Sequence, residues 1–225
     1  MKKKDLYLSF IEEHSFDFDS FVREFLVSYA DYLDDPQTIL PGEVCQILDL
    51  IGCLPENLDI FTGFCNLIKE KFDLTGKKIT EVGGGIYPSV GRRLSGFSNV
   101  KHVIVYDRAL GRSVSNSDKL QLIRGPLPEE GKCLPCDLFV GLRPCSGGLS
   151  LVERAIETKT DFIVALCEGG AHGEGFDFYE NEDEWLDTVI YLAEKGVKKQ
   201  NMGELVIEKS LLKYRHDYPV IFNQR

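Results

Sequence analysis

The sequence predicts a three-layer α/β fold: a mostly parallel sheet of about seven strands, ending in an antiparallel hairpin, behind an N-terminal helical appendage. Three observations carry that expectation. Short β-rich runs alternate with helical segments from Lys77 onward, the early runs are apolar almost throughout, and the first 72 or so residues carry helical periodicity instead. A strand covered by helices on both faces has no solvent side, so its sequence loses the polar alternation of an exposed sheet.

Within the helical part, Phe18, Phe21, Val22, Phe25, Leu26, Tyr29 and Leu33 recur at the i, i+3, i+4 spacing of one helix face, with Asp19 or Ser20 available as the cap. Pro36 and Pro41-Gly42 punctuate that helix. A second is expected from about Gly42 to Ile51, ended by Gly52 and Pro55, and a third over NLDIFTGFCNLIKEKF before the turn DLTGKK. Core packing accounts for all three; a cap over a substrate site is the functional alternative. Strands are expected at 78–82, 101–106, 119–123, 137–142, 161–166, 204–209 and 218–222, and helices at 88–95, 148–158 and 182–195. The last two strands sit close together with Asp217 and Pro219 between them, hence the hairpin. We divide the chain into an appendage, 1–56, and a main domain, 57–225.

Composition narrows the function. The chain of 225 residues carries a net charge of −10, with acids densest over EGFDFYENEDEWLD, Glu174 to Asp187. Such a surface repels phosphate backbones, so broad nucleic-acid binding is disfavoured. The acids at the start of that helix complement its dipole; alternatively they draw a cationic substrate to the rim, which charge reversal at Glu180 and Asp183 would reveal. No apolar run approaches the about 18–20 residues that span a bilayer. Asp5, Glu12 and Glu13 interrupt any secretory signal behind the basic tip MKKK, and seven scattered cysteines fit reduced thiols, so a cytoplasmic location is expected.

The informative stretch is KKITEVGGGIYPSVGRRL. A strand that stops in glycines and enters a helix leaves backbone N–H groups free for a ligand, because no side chain blocks the approach. The spacing departs from the dinucleotide pattern G-x-G-x-x-G, since Pro88 stands at the third position counted from Gly83 and Gly85. This weakens a nicotinamide-dependent oxidoreductase. Asp107 closes the next strand, HVIVYD, 22 positions beyond Gly85. Parallel neighbours bring their C-terminal ends together, so Asp107 is expected to face the crevice that Gly85 borders.

Glu81-Val82-Gly83-Gly84-Gly85 followed by Asp107 resembles the first two motifs of the class I, Rossmann-like S-adenosylmethionine-dependent methyltransferases. The match runs over roughly Asn57 to Arg225. The resemblance implies S-adenosylmethionine as cofactor. Glu81 would orient the loop or meet the methionyl amine, and Gly83, Gly84 and Gly85, with Tyr87, would border the cofactor. Asp107, beside Arg108, would accept hydrogen bonds from the ribose hydroxyls. Ile123, Arg124 and Gly125 are offered by position as the adenine side. Arg92 and Arg93, early in the following helix, are expected to face solvent.

Chemistry is expected on the loops after strands four and five, GLRPCSGGLS and CEGGAHGEG, which should open onto one rim. Arg143, Cys145, Glu168 and His172 are the catalytic candidates, with Pro144 and Cys167 beside them. Glu168 stands at a strand end, where it would contact substrate. His172 would serve as a general base or be merely exposed, and Arg143 would clamp an anionic group or pair with an acid. Leu142-Arg143-Pro144-Cys145 lacks the acid or amide with prolines and an aromatic that amine methyltransferases carry there. Pro144-Cys145 looks like the nucleophile motif of cytosine-C5 methyltransferases, but the chain's length and acidity suit DNA poorly. Metal binding has a thin basis: Cys133-x-x-Cys136 lies before a strand that Cys145 follows, leaving Cys145, Cys167 and His172 as a smaller set. We therefore expect no metal.

The leading expectation is an S-adenosylmethionine-dependent methyltransferase, or a transferase moving another group from that cofactor, acting on a small or cationic acceptor. The rival is a non-catalytic methyltransferase-like binding protein that works through its acidic face and helical cap.

Overall fold

A computed structural model describes residues 2–35, 40–129, 132–145, 147–167, 182–209 and 219–225. Seven strands form one sheet: β1 (Lys78–Val82), β2 (His102–Asp107), β3 (Leu120–Arg124), β4 (Leu138–Leu142), β5 (Asp161–Ala165), β6 (Glu204–Lys209) and β7 (Pro219–Gln224). Their order is β3-β2-β1-β4-β5-β7-β6, and only β7 runs against its neighbours. The expected parallel sheet and terminal hairpin are both present. Pro219, which cannot donate to a ladder, stands at the first position of β7, where it is tolerated.

Strand period 2 sorts the core into two layers. Ile79, Val103, Val105, Val140, Ile163 and Phe222 point to one face, while Val82, Phe139, Phe162, Val164 and Ile221 point to the other. The second face is covered by α6 (Gly147–Thr158) and α7 (Glu182–Gln200), whose Leu151, Val152, Ala155, Trp185, Val189 and Ala193 fill that layer. The first face is covered by α4 (Ile60–Lys71) and α5 (Ser89–Gly96). Buried Asn223 locks the hairpin: it accepts from Phe162 N at 2.8 Å and donates to Asp161 at 2.8 Å and to the Met202 carbonyl at 3.1 Å.

The N-terminal segment contributes α1 (Lys3–Glu13), α2 (Ser20–Ser28) and α3 (Gly42–Leu50). Asp19 caps α2 by accepting from Val22 N at 2.8 Å, and Asp59 caps α4 from Thr62 N at 2.9 Å. The apolar stripe of α2 is only partly buried: Leu26 is inside, whereas Phe21, about a hundred degrees of helix rotation away from Val22, is 77% exposed. Tyr7, Ile11, Val44, Ile47 and Leu48 nevertheless join the same buried cluster as the sheet's first face.

One expectation fails outright. Arg93 is not a solvent side chain; it donates to both carboxylate oxygens of Asp49, reaches Asp59 at 3.3 Å, and so ties α5 to α3 and to the cap of α4. A single sequence shows that α5 carries an arginine but not that two acids from other helices converge on it. Among the described residues, no helix is long and apolar enough to cross a membrane.

Candidate functional site

The order of the strands creates one switch point. From β1 the chain steps outward through β2 and β3, then returns to pair β4 on the other side of β1, so the loops leaving β1 and β4 diverge and a crevice opens at their C-terminal ends. The glycine bend sits there. Gly83 N extends the ladder to the Tyr106 carbonyl at 3.0 Å, and then Gly85 N donates to the Asp107 carboxylate at 2.8 Å. The expected meeting of the bend with the end of the next strand is therefore direct contact.

A cleft of ≈ 580 Å³ lies at this point. Its floor is Val82 and Gly83, its near wall Tyr106 through Ala109, and its far walls Gly125, Pro126 and Leu127 after β3 and Pro144, Gly147 and Ser150 after β4. Gly83 has φ +78, and a Cβ there would stand 2.6 Å from Pro144, so glycine lets these two diverging loops approach. Asp107 also accepts from Ala109 N at 2.6 Å. Each carboxylate oxygen thus holds one backbone N–H and retains capacity for a further donor.

Several candidates are placed differently from expectation. Glu81 is 2% exposed and points under α5, where it accepts from Gly91 N at 2.8 Å; it orients the loop and helix and does not line the cleft. Burial, and secondarily the nearby Asp107 charge, push its carboxyl up to about 8, against the lowering effect of the Gly91 bond. Tyr87 turns away: its hydroxyl meets Ser113 at 3.1 Å and Asp17 at 3.3 Å beneath the N-terminal helices. Arg124 reaches back to the Leu110 carbonyl at 3.0 Å and to the Gly111 carbonyl, so it braces the loop after β2; neither it nor Ile123 lines the cleft. The wall is built one to three residues later, from Gly125 to Leu127. Gly84 and Gly85 are covered from above by Gln46 of α3, which donates to the Gly84 carbonyl at 2.8 Å and accepts from Tyr87 N at 3.4 Å.

Of the cofactor candidates, Gly83, Asp107 and Arg108 line the cleft together. Gly125, which the sequence offers by position, does line the cleft; sequence reasoning missed Gln46, Pro126, Leu127, Gly147 and Ser150. Counting two and three residues past the end of β3 would have found Pro126 and Leu127; nothing local marks Gln46, which lies 38 positions from Gly84.

At the rim, Arg143 has φ 53 and Cys145 φ 46, and Arg143 N still donates to the Ala165 carbonyl at 2.9 Å. The sulfurs of Cys145 and Cys167 are 3.6 Å apart. That contact with Cys167 pushes the Cys145 thiol upward. Glu168 and His172, like most of the acidic run, lie outside the described residues. Cys133 and Cys136 sit within reach of Tyr106 and Thr80, with burial raising both and Cys136 to about 11. Among the described residues, no group of three or more His, Cys, Asp or Glu is placed to hold a metal ion.

No protein-family model and no curated protein sequence matches the chain. Solved structures are similar in fold. They include the methyltransferase domain of bacterial CtHen1, at 11% identity and TM-score 0.49, over 76% of this chain and 100% of that one. Human N-acetylserotonin methyltransferase in complex with SAM matches at 13% and 0.41, over 92% and 68%. Precorrin-6y C5,15-methyltransferase from Geobacter metallireducens matches at 9% and 0.43, over 85% and 96%. Likeness at these identities concerns the fold alone.

Proposed function

We propose that this chain, whose sheet has the strand order and single reversed strand of the class I S-adenosylmethionine-dependent methyltransferases, uses that cofactor to transfer a methyl or another sulfonium-borne group to a small or cationic acceptor. The observation that supports this reading most is the shared cleft of Gly83 and Asp107, tied together through Gly85 N.

The residues present suit an adenosyl group. The open lone pairs of Asp107 accept from a ribose diol, Gly83 and Val82 offer a floor without a blocking side chain, and Gly125, Pro126 and Leu127 offer a largely apolar wall for a flat base. Pro144, Gly147 and Ser150 close the side from which the acceptor approaches. The bound cofactor supplies an activated methyl group, so the protein's task is positioning and exclusion of water. Arg143, Glu168 and His172 are the residues for acceptor recognition and for taking up a proton from it. Cys145, whose sulfur lies against that of Cys167, is not assigned a nucleophilic role toward the acceptor.

Titration calorimetry with S-adenosylmethionine and S-adenosylhomocysteine tests the reading. Both ligands are expected to bind, and Asp107→Ala to weaken both by about 10- to 100-fold, the worth of a charge-assisted pair. Asp107→Asn, which keeps one carbonyl oxygen, should fall between. Absence of heat with either ligand would leave the fold as a non-catalytic binding scaffold.

A further inference from the structure

We propose that Cys145 and Cys167 are a reversible dithiol site that a peroxide oxidises to a disulfide, and that the bond clamps the β4–α6 loop onto the end of β5. The two residues follow the ends of neighbouring parallel strands, β4 and β5. Leu142 is in register with Ala165, Arg143 N holds the Ala165 carbonyl, and the sulfurs beyond them already touch at 3.6 Å. A disulfide requires about 2.05 Å between sulfurs, so closing the 3.6 Å gap completes it. Cys145 is exposed and gives an oxidant access, while Cys167 is buried behind it.

The other cysteines do not compete for Cys145 by position. Cys45 and Cys65 are buried against the carbonyls of Leu40 and Val90, Cys53 meets the Ile51 carbonyl, and Cys133 and Cys136 lie beside Tyr106 and Thr80. The loop concerned matters to the cleft: Pro144 packs on Gly83, Gly147 N donates to the Pro144 carbonyl at 2.8 Å, and Gly148 N donates to the Cys145 carbonyl at 3.0 Å to open α6. Fixing Cys145 therefore fixes the wall formed by Pro144 and Gly147.

The chemistry balances. One thiolate attacks a peroxide oxygen, the O–O bond breaks, and a sulfenic acid forms with release of one water. The second thiol attacks that sulfur and expels the hydroxyl as a second water, so two thiols and one hydrogen peroxide give one disulfide and two waters.

The test uses the full chain with hydrogen peroxide, alkylation of remaining thiols and cleavage before aspartates. Cleavage there places Cys145 alone in the peptide 137–160 and Cys167 alone in 161–176. Expected are a cross-linked pair of these two peptides, loss of two thiols per chain, full reversal by dithiothreitol, and disappearance of the cross-link in Cys145→Ser. Amide exchange over 144–150 should slow in the oxidised chain. Cys145 paired with any other cysteine, over-oxidised alone, or unreacted at peroxide concentrations that oxidise the urea-unfolded chain would overturn the site. Equal exchange in the two redox states would overturn the clamp. No readout uses the cofactor, so the result stands apart from the proposed transferase activity.

Discussion

At the scale of single residues, the acid of the motif does structural work. Glu81 is buried on the face of β1 that α5 covers, and the absence of a side chain at Gly91 lets its carboxyl reach the helix backbone; a Cβ there would stand 2.5 Å from Glu81 Oε2. Its carboxyl, ordinarily near 4.5, titrates near 8 in the fold. A raised acid binds its proton more tightly folded than unfolded, so its contribution is fully present below about pH 4.5 and is lost as pH rises through 8. The linkage amounts to a few kcal/mol. Glu81→Gln keeps an acceptor for Gly91 N and removes the ionisation, so thermal melts of variant and parent should agree near pH 4.5 and diverge by pH 8, with the variant the more stable. Parallel curves would show that Glu81 does not titrate in this range. Gly83→Ala makes the opposite kind of change. Its left-handed backbone and the Cβ contact with Pro144 predict a loss of about 2–3 kcal/mol in denaturant melts, together with weaker binding of S-adenosylmethionine.

At the scale of elements, the glycine bend is held from both sides. Beneath it lies the end of β2, through Asp107; above it lies α3, through the Gln46 amide, which satisfies one carbonyl and one N–H of the bend. A further tie runs through Asp17, whose carboxylate accepts from Ser113 N at 2.9 Å and from the hydroxyls of Ser113 and Tyr87. A loop that must admit a ligand has few contacts of its own, so order is supplied by neighbours. Gln46→Ala should cost about 1–2 kcal/mol and should raise amide exchange at Gly84 to Tyr87 ahead of any change in the strands. Unaltered exchange there would mean that the bend holds its shape without α3.

At the scale of the whole molecule, the helical appendage and the sheet share one apolar cluster, running from Tyr7 and Ile11 through Val44 and Ile47 to Val103 and Phe222. Arg93, bonded to Asp49 of α3, adds a polar tie across the same seam. A fragment of residues 57–225 would expose to water the side of that cluster on which residues 1–56 pack, the outer side of α5 included. It is expected to lack the cooperative thermal transition of the full chain, as calorimetry can show. A sharp transition in the fragment would make the division at 56/57 a folding boundary as well as a change in sequence character.

The strands were legible because hydrophobic periodicity is local: each expected run matches an observed strand to within one or two residues. The meeting of the bend with Asp107 followed from parallel pairing alone. What the sequence by itself determined is therefore the layered fold, the bend and the carboxylate at its side, since each depends on residues adjacent along the chain or one strand apart. Only the tertiary structure decided that Tyr87 and Arg124 turn away from the cleft, that Gln46 covers the glycines and that two cysteines touch at the rim. Those contacts join segments whose separation in sequence carries no periodic signal, and side-chain direction is set by the packing of elements that have already formed.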